Sequence, residues 1–75
     1  MSSRETLTQI AAGRLRAEMA FRRRSSSDLA SALGLSQSSA SRRMTGEVSM
    51  DLDEIETVVK WLDIPVQRLI EEQAA

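Results

Sequence analysis

A short stretch in the middle of the chain carries amide, hydroxyl and guanidinium groups at helical spacing. At 3.6 residues per turn, a helix over residues 37–44 buries Ala40 and Met44, which are i and i+4. Its opposite face is polar and comprises Gln37, Ser38, Ser41, Arg42 and Thr45. A guanidinium pairs with guanine O6 and N7, an amide pairs with adenine N6 and N7, and small hydroxyl side chains let a helix approach the bases. This chemistry predicts a recognition helix for the major groove of DNA.

The residue types that usually carry catalysis are missing, because the sequence contains no His, Cys or Tyr. Lys60 is the only lysine and lies on a different predicted helix from the serines, so no serine has a partner base. The acidic run from Glu47 to Glu56 lacks the glycine and the distant glutamate of a calcium loop. We therefore expect a protein that is not an enzyme and that uses no metal or cofactor.

Charge is distributed very unevenly along the chain. Residues 1–46 hold eight arginines and three acids, for a net +5, whereas residues 47–75 hold two basic and eight acidic residues, for a net −6. The basic half suits a polyanion and the acidic half suits another contact. Within the basic half, the run Arg22 to Arg24 fits either a solvated helix end or a contact with phosphate. The arginines expected to contact the DNA backbone are Arg22, Arg23, Arg24 and Arg43.

Helical spacing and capping residues predict an all-α, compact five-helix bundle that forms a single domain. The predicted helices cover residues 4–23, 26–33, 37–44, 51–62 and a segment that begins at Pro65. The first helix has two apolar stripes, one with Leu15 and Met19 and one with Ile10, Ala17 and Phe21, and either stripe fits the core. The fourth helix has one apolar face, which comprises Leu52, Ile55, Val58, Val59 and Leu62.

Residues 25–46 predict a helix-turn-helix. Ser25 and Asp28 form a capping-box start, and Gly34 suits the left-handed end of the first of the two helices. Ser36 is a good N-cap for the second helix, and Gly46 ends it. A serine-rich linker is the alternative, but the apolar spacing and the two glycine stops argue against it.

The pattern D-L-A-x-x-L-G-L-S-Q-x-x-x-S-R-R-M-T-G over residues 28–46 resembles the helix-turn-helix of phage repressors, Cro proteins and XRE-like regulators. The resemblance implies a lambda repressor-like bundle of five helices that binds operator DNA as a dimer. It places Gln37, Ser38 and Arg42 at base edges, with Ser41 beside them. It also places Ser26 and Ser36 near phosphate-binding helix starts, and Thr45 is expected to contact the backbone. Core positions of the family fall on Leu52, Ile55, Leu62, Ile64 and Leu69.

The sequence departs from the family pattern at three places. Ala40 stands where a larger Val or Ile is usual, so packing under the recognition helix is expected to be loose. Ser26 stands where the family often has a Gln that reaches phosphate. Met19 and Met44 occupy the positions of a buried Arg and Glu pair in many members, so we expect the two methionines to touch.

Two functional hypotheses follow. The first is a sequence-specific transcriptional regulator that binds double-stranded operator DNA, as a homodimer at least on DNA, through the acidic C-terminal half or Trp61. The alternative is a helix-turn-helix module that binds a protein partner and not DNA. Trp61 fits an interface or the edge of the core equally well. With no long apolar run and no apolar N-terminal segment, we expect no membrane contact and a cytoplasmic, nucleoid-associated location in a bacterial or phage-infected cell.

Overall fold

A computed structural model describes residues 6–71 and confirms an all-helical fold, with no strand in that range. The helices are α1 (Leu7–Phe21), α2 (Ser26–Leu33), α3 (Gln37–Thr45), α4 (Leu52–Leu62) and α5 (Gln67–Ile70). The Cα radius of gyration of 11.9 Å is that of a compact chain of this length. None of the helices in residues 6–71 is long and apolar enough to cross a membrane.

Side-chain caps fix where the first four helices begin. Thr6, Ser25 and Asp51 each form a reciprocal capping box with the residue three positions on, and Ser36 Oγ accepts from the backbone N–H of Ser39 at 3.1 Å. The boundaries of α2 are as predicted. The first helix begins at Leu7 and not at Arg4, because Thr6 is its extended N-cap; Arg4 itself lies outside the described residues.

The last helix is shorter than the sequence indicates. It begins at Gln67 and not at Pro65, and it comprises only four residues. The backbone N–H of Arg68 donates to the carbonyl of Pro65 at 3.0 Å, so Pro65 belongs to the turn that leads into α5. This short helix still contributes a buried residue, Leu69, to the core.

One apolar core joins all five helices. Its buried members are Leu15, Met19, Leu29, Ala30, Ala40, Val58, Leu62, Ile64 and Leu69. In α1 the core stripe is therefore the one with Leu15 and Met19, while Phe21 is 83% exposed. Met44 is partly buried against the same cluster as Met19, and Trp61 also packs against it.

The expectation that Leu52 is a core residue is wrong, because Leu52 is 84% exposed. Leu52 has the helical spacing of Ile55 and Leu62, which do pack against the core. However, Leu52 is the first residue of α4, and its side chain lies beyond the part of the apolar face that the core covers. Helical periodicity identifies the face of a helix but not how far along it the neighbouring helices extend.

Candidate nucleic-acid interface

A tight turn joins α2 to α3 and sets the position of the candidate interface. Gly34 adopts a left-handed conformation (φ 68°, ψ 35°), and the backbone N–H of Leu35 donates to the carbonyl of Ala30 at 2.9 Å. This is the pattern of a Schellman motif, in which glycine avoids the Cβ strain of a positive φ. Ser36 then caps α3, so only three residues separate the two helices.

The outward face of α3 is the polar face predicted from the sequence. Gln37, Ser38, Arg42 and Thr45 are exposed, and Ser41 is half-buried. On the opposite side Ala40 is fully buried. The absence of a larger side chain at Ala40 lets α3 lie close to the helices beneath it, with its polar stripe facing away from the core.

A hydrogen bond connects the first turns of α2 and α3. The side-chain amide Nε2 of Gln37 donates to Oγ of Ser26 at 3.1 Å. This bond uses one of the two amide hydrogens and leaves the second hydrogen and the amide oxygen for another partner. Two residues predicted to contact DNA are therefore brought together, one at the start of each helix.

The adjacent arginines of α3 have different environments. Arg43 Nε donates to Glu54 Oε1 of α4 at 3.0 Å, and Arg43 Nη1 donates to the Ser39 carbonyl at 3.0 Å. The side chains of this ion pair are only 17% and 16% exposed. Arg42 is exposed, and its guanidinium has no hydrogen bond or ion pair with any of the residues 6–71. The sequence pattern predicted different DNA contacts for these two arginines but did not indicate that Arg43 pairs with Glu54.

The run Arg22 to Arg24 forms the turn between α1 and α2. Arg22 is ion-paired with Glu18 one turn earlier in α1, and its guanidinium lies 5.6 Å from the centroid of the Phe21 ring. Arg24 lies over Trp61, with 5.7 Å between its guanidinium carbon and the ring centroid. Arg23 is exposed and has a positive φ of 58°. Each arginine of the run thus has a different environment.

The predicted phosphate contacts remain predictions, but the structure shows which groups are already engaged. Arg22 and Arg43 both lie in intramolecular ion pairs. The hydroxyl of Ser36 caps α3, and the hydroxyl of Thr45 donates to the Arg42 carbonyl at 3.0 Å. Sequence reasoning missed Glu18 and Glu54 as partners. The spacing of Glu18 and Arg22, i and i+4, was a readable signal for the first pair.

The start of α2 carries a carboxylate that is strongly tied to the backbone. The backbone N–H of Ser25 donates to Asp28 Oδ2 at 2.8 Å, and this bond lowers the pKa of Asp28 below its ordinary value. A hydrogen bond to the Ser25 side chain and the nearby charge of Arg24 lower the pKa further. Asp28 is therefore ionised at neutral pH and stabilises the first turn of α2.

Residues 6–71 contain no group of His, Cys, Asp and Glu side chains arranged to hold a metal ion. The site is thus composed of one amide, hydroxyl groups and guanidinium groups. Such groups donate and accept hydrogen bonds to base edges and phosphates.

Comparison with known families identifies the chain. The family model of the BetR domain matches residues 4–75, which is almost the entire sequence. The chain therefore belongs to the BetR domain family, a small helical, DNA-binding-like domain. No curated protein and no solved structure matches the chain significantly.

Proposed function

We propose that this BetR domain is a sequence-specific, double-stranded DNA-binding transcriptional regulator of the phage repressor and Cro type. The observation that carries the proposal is the outward stripe of α3, in which Arg42 is exposed without a protein partner among residues 6–71. The adjacent Arg43 is held by Glu54, so the free guanidinium lies on the polar face and the paired one lies toward α4. This arrangement suits a helix whose outer side reads the major groove.

Base reading is assigned to Arg42 and Gln37. Arg42 lies one helical turn beyond Ser38, and its guanidinium can form two parallel bonds with guanine O6 and N7. The amide oxygen of Gln37 can accept a hydrogen bond from adenine N6, and its remaining amide hydrogen can be donated to adenine N7. The hydrogen bond that the Gln37 amide donates to Ser26 Oγ fixes this amide before DNA binds, which reduces the entropy lost on binding.

Backbone contacts are assigned to groups around the two helix starts. Arg23 and Arg24 have no hydrogen bond or ion pair from their guanidinium groups to residues 6–71, so both charges are available to phosphates. Ser26 lies at the first turn of α2, and Ser36 lies at the start of α3. Arg22 and Arg43 act mainly within the fold, since each is already neutralised by a glutamate.

Assembly as a homodimer on DNA completes the proposal. One recognition helix reads only a few base pairs, and a two-fold dimer reads two half-sites about 34 Å apart. The repulsion between two C-terminal halves of charge −6 favours a free monomer at low concentration. DNA then brings the two copies together.

The proposal is tested by selecting bound sequences from random duplex DNA and titrating the best duplex against salt. We expect a defined site and an affinity that falls with a log–log slope of about −0.9 per phosphate neutralised. The same titration on a scrambled duplex provides the nonspecific affinity. If no sequence is enriched and duplex binding hardly changes with salt, the proposal is wrong, and a protein-interaction module becomes the better account.

A further inference from the structure

The helix ends of this domain contain one unusual residue, an arginine in a left-handed turn. Arg23 N–H donates to the Ala20 carbonyl at 3.1 Å, and Arg24 N–H donates to the Met19 carbonyl at 2.8 Å. These two bonds form a complete Schellman motif at the end of α1, and Arg23 occupies its left-handed position with φ 58°. This position is the one that glycine normally fills.

Two other turns of the domain show what usually occupies this position. Gly34 fills it after α2. Asp63 fills it after α4, where Asp63 N–H bonds to the Lys60 carbonyl and Ile64 N–H bonds to the Val59 carbonyl. Glycine has no Cβ strain, and aspartate is among the few other residues that visit this region routinely. Arginine has neither property, so Arg23 strains the backbone without any compensating bond from its side chain to residues 6–71.

The neighbours of Arg23 hold its backbone from both sides. Before it, Arg22 is fixed to Glu18 and to the Phe21 ring. After it, Arg24 lies over the ring of Trp61 in α4. The turn is therefore well defined. Arg23 and Arg24 are both exposed without an acidic partner among residues 6–71, but only Arg24 also lies over an aromatic ring. Strained residues held by their surroundings are typical of binding sites, where a fixed geometry reduces the entropy lost on binding.

We propose that Arg23 is a phosphate anchor of the DNA interface, retained in a left-handed turn at the expense of stability, and that Arg22 and Arg24 are positioning residues for it. The inference deepens the proposed DNA-binding function and rests on it. It separates the three arginines by role: Arg23 acts only on the DNA backbone, whereas Arg22 and Arg24 also define the turn that presents it.

The test replaces Arg23 with glycine and with lysine, and it measures both stability and DNA binding. Arg23→Gly relieves the strain, so the thermal midpoint by circular dichroism should rise by about 4 °C. The same variant should bind the selected duplex and a scrambled duplex roughly tenfold more weakly, because a phosphate contact carries no sequence information. Its salt slope should fall by about 0.9 in magnitude. Arg23→Lys keeps the charge and should keep the wild-type slope.

Asp63→Gly is the matched control, because it makes the same backbone change in the Schellman turn of α4. It should leave the salt slope unchanged and should not weaken either duplex. A variant that is more stable yet binds DNA less well supports the inference, since a purely structural residue would not move the two quantities in opposite directions.

Several results overturn the inference. One is an Arg23→Gly variant with the wild-type affinity and salt slope, another is an Arg23→Gly variant whose thermal midpoint does not rise, and the third is an Asp63→Gly variant that weakens binding equally. If the wild-type protein binds its selected duplex, each of these outcomes rejects the role of Arg23 and leaves the proposed DNA-binding function standing. A wild-type protein that binds no duplex DNA rejects the proposed function as well.

Discussion

The largely buried ion pair between Arg43 and Glu54 is expected to hold the recognition helix in place. Glu54 Oε1 accepts from Arg43 Nε at 3.0 Å and from the backbone N–H of Asp51 at 3.2 Å. The same oxygen therefore joins α3 to the capping box that begins α4. Glu54→Gln removes the charge and keeps the shape of the side chain, so it tests the electrostatic contribution of this contact.

The magnitude follows from the burial of the pair. With both side chains about one-sixth exposed, the pair lies between a surface ion pair, worth about 0–1 kcal/mol, and a fully buried one, whose disruption costs about 3–5 kcal/mol. A hydrogen bond to a charged group contributes about 1.5–3 kcal/mol. We expect Glu54→Gln to lower the free energy of unfolding by about 1.5 kcal/mol, which lowers the thermal midpoint by about 6–12 °C in a domain of this size.

Urea unfolding followed by circular dichroism measures this loss. The control is Glu56→Gln, which makes the same substitution on the same helix. Glu56 pairs with Lys60 at 3.5 Å, but these side chains are 64% and 75% exposed, so the control should cost about 0.5 kcal/mol or less. A cycle that adds Arg43→Gln should give a coupling of about 1 kcal/mol between Arg43 and Glu54. Equal losses for Glu54→Gln and Glu56→Gln would refute the reasoning.

Three further predictions concern packing, pH and base reading. Ala40→Leu should lower the free energy of unfolding in urea by about 1–3 kcal/mol, because Ala40 is fully buried beneath α3. Asp28→Asn should destabilise the domain more at neutral pH than in acid, because the lowered pKa of Asp28 gives stability that is lost as the pH falls through it; an equal loss at both pH values would contradict this. Ser26→Ala should reduce the preference for one base pair, measured on the selected duplex and its single-base variants, because Gln37 loses its hydrogen bond to Ser26.

Local signals predicted the helices well where capping residues marked both ends. The bounds of α2 follow from Ser25, Asp28 and Gly34, each of which acts within a few residues of its own position. The outward polar face of α3 likewise follows from helical periodicity, because all of its residues lie within a single short helix. These features depend on the chain nearby, so the sequence carries them directly.

Features that depend on distant contacts were not predictable in the same way. The exposure of Leu52 depends on where the neighbouring helices end, which its spacing in α4 does not encode. The pairing of Arg43 with Glu54 joins residues on two helices, so only the fold reveals that Arg43 is neutralised and Arg42 is not. The strained turn at Arg23 was not predictable either, because a run of three arginines does not indicate which of them adopts the positive φ.

The central claim, that α3 reads base pairs, is tested most directly by Arg42→Ala on two duplexes at one fixed salt concentration. Arg68→Ala is the matched control, since it removes one exposed guanidinium, paired with Glu18, from α5. Arg42→Ala should lose about 1–3 kcal/mol of binding free energy on the selected duplex and much less on a scrambled duplex, while Arg68→Ala should leave the ratio of the two affinities unchanged. An equal loss on both duplexes would contradict base reading by Arg42, and no loss on either would contradict DNA recognition by this face of α3.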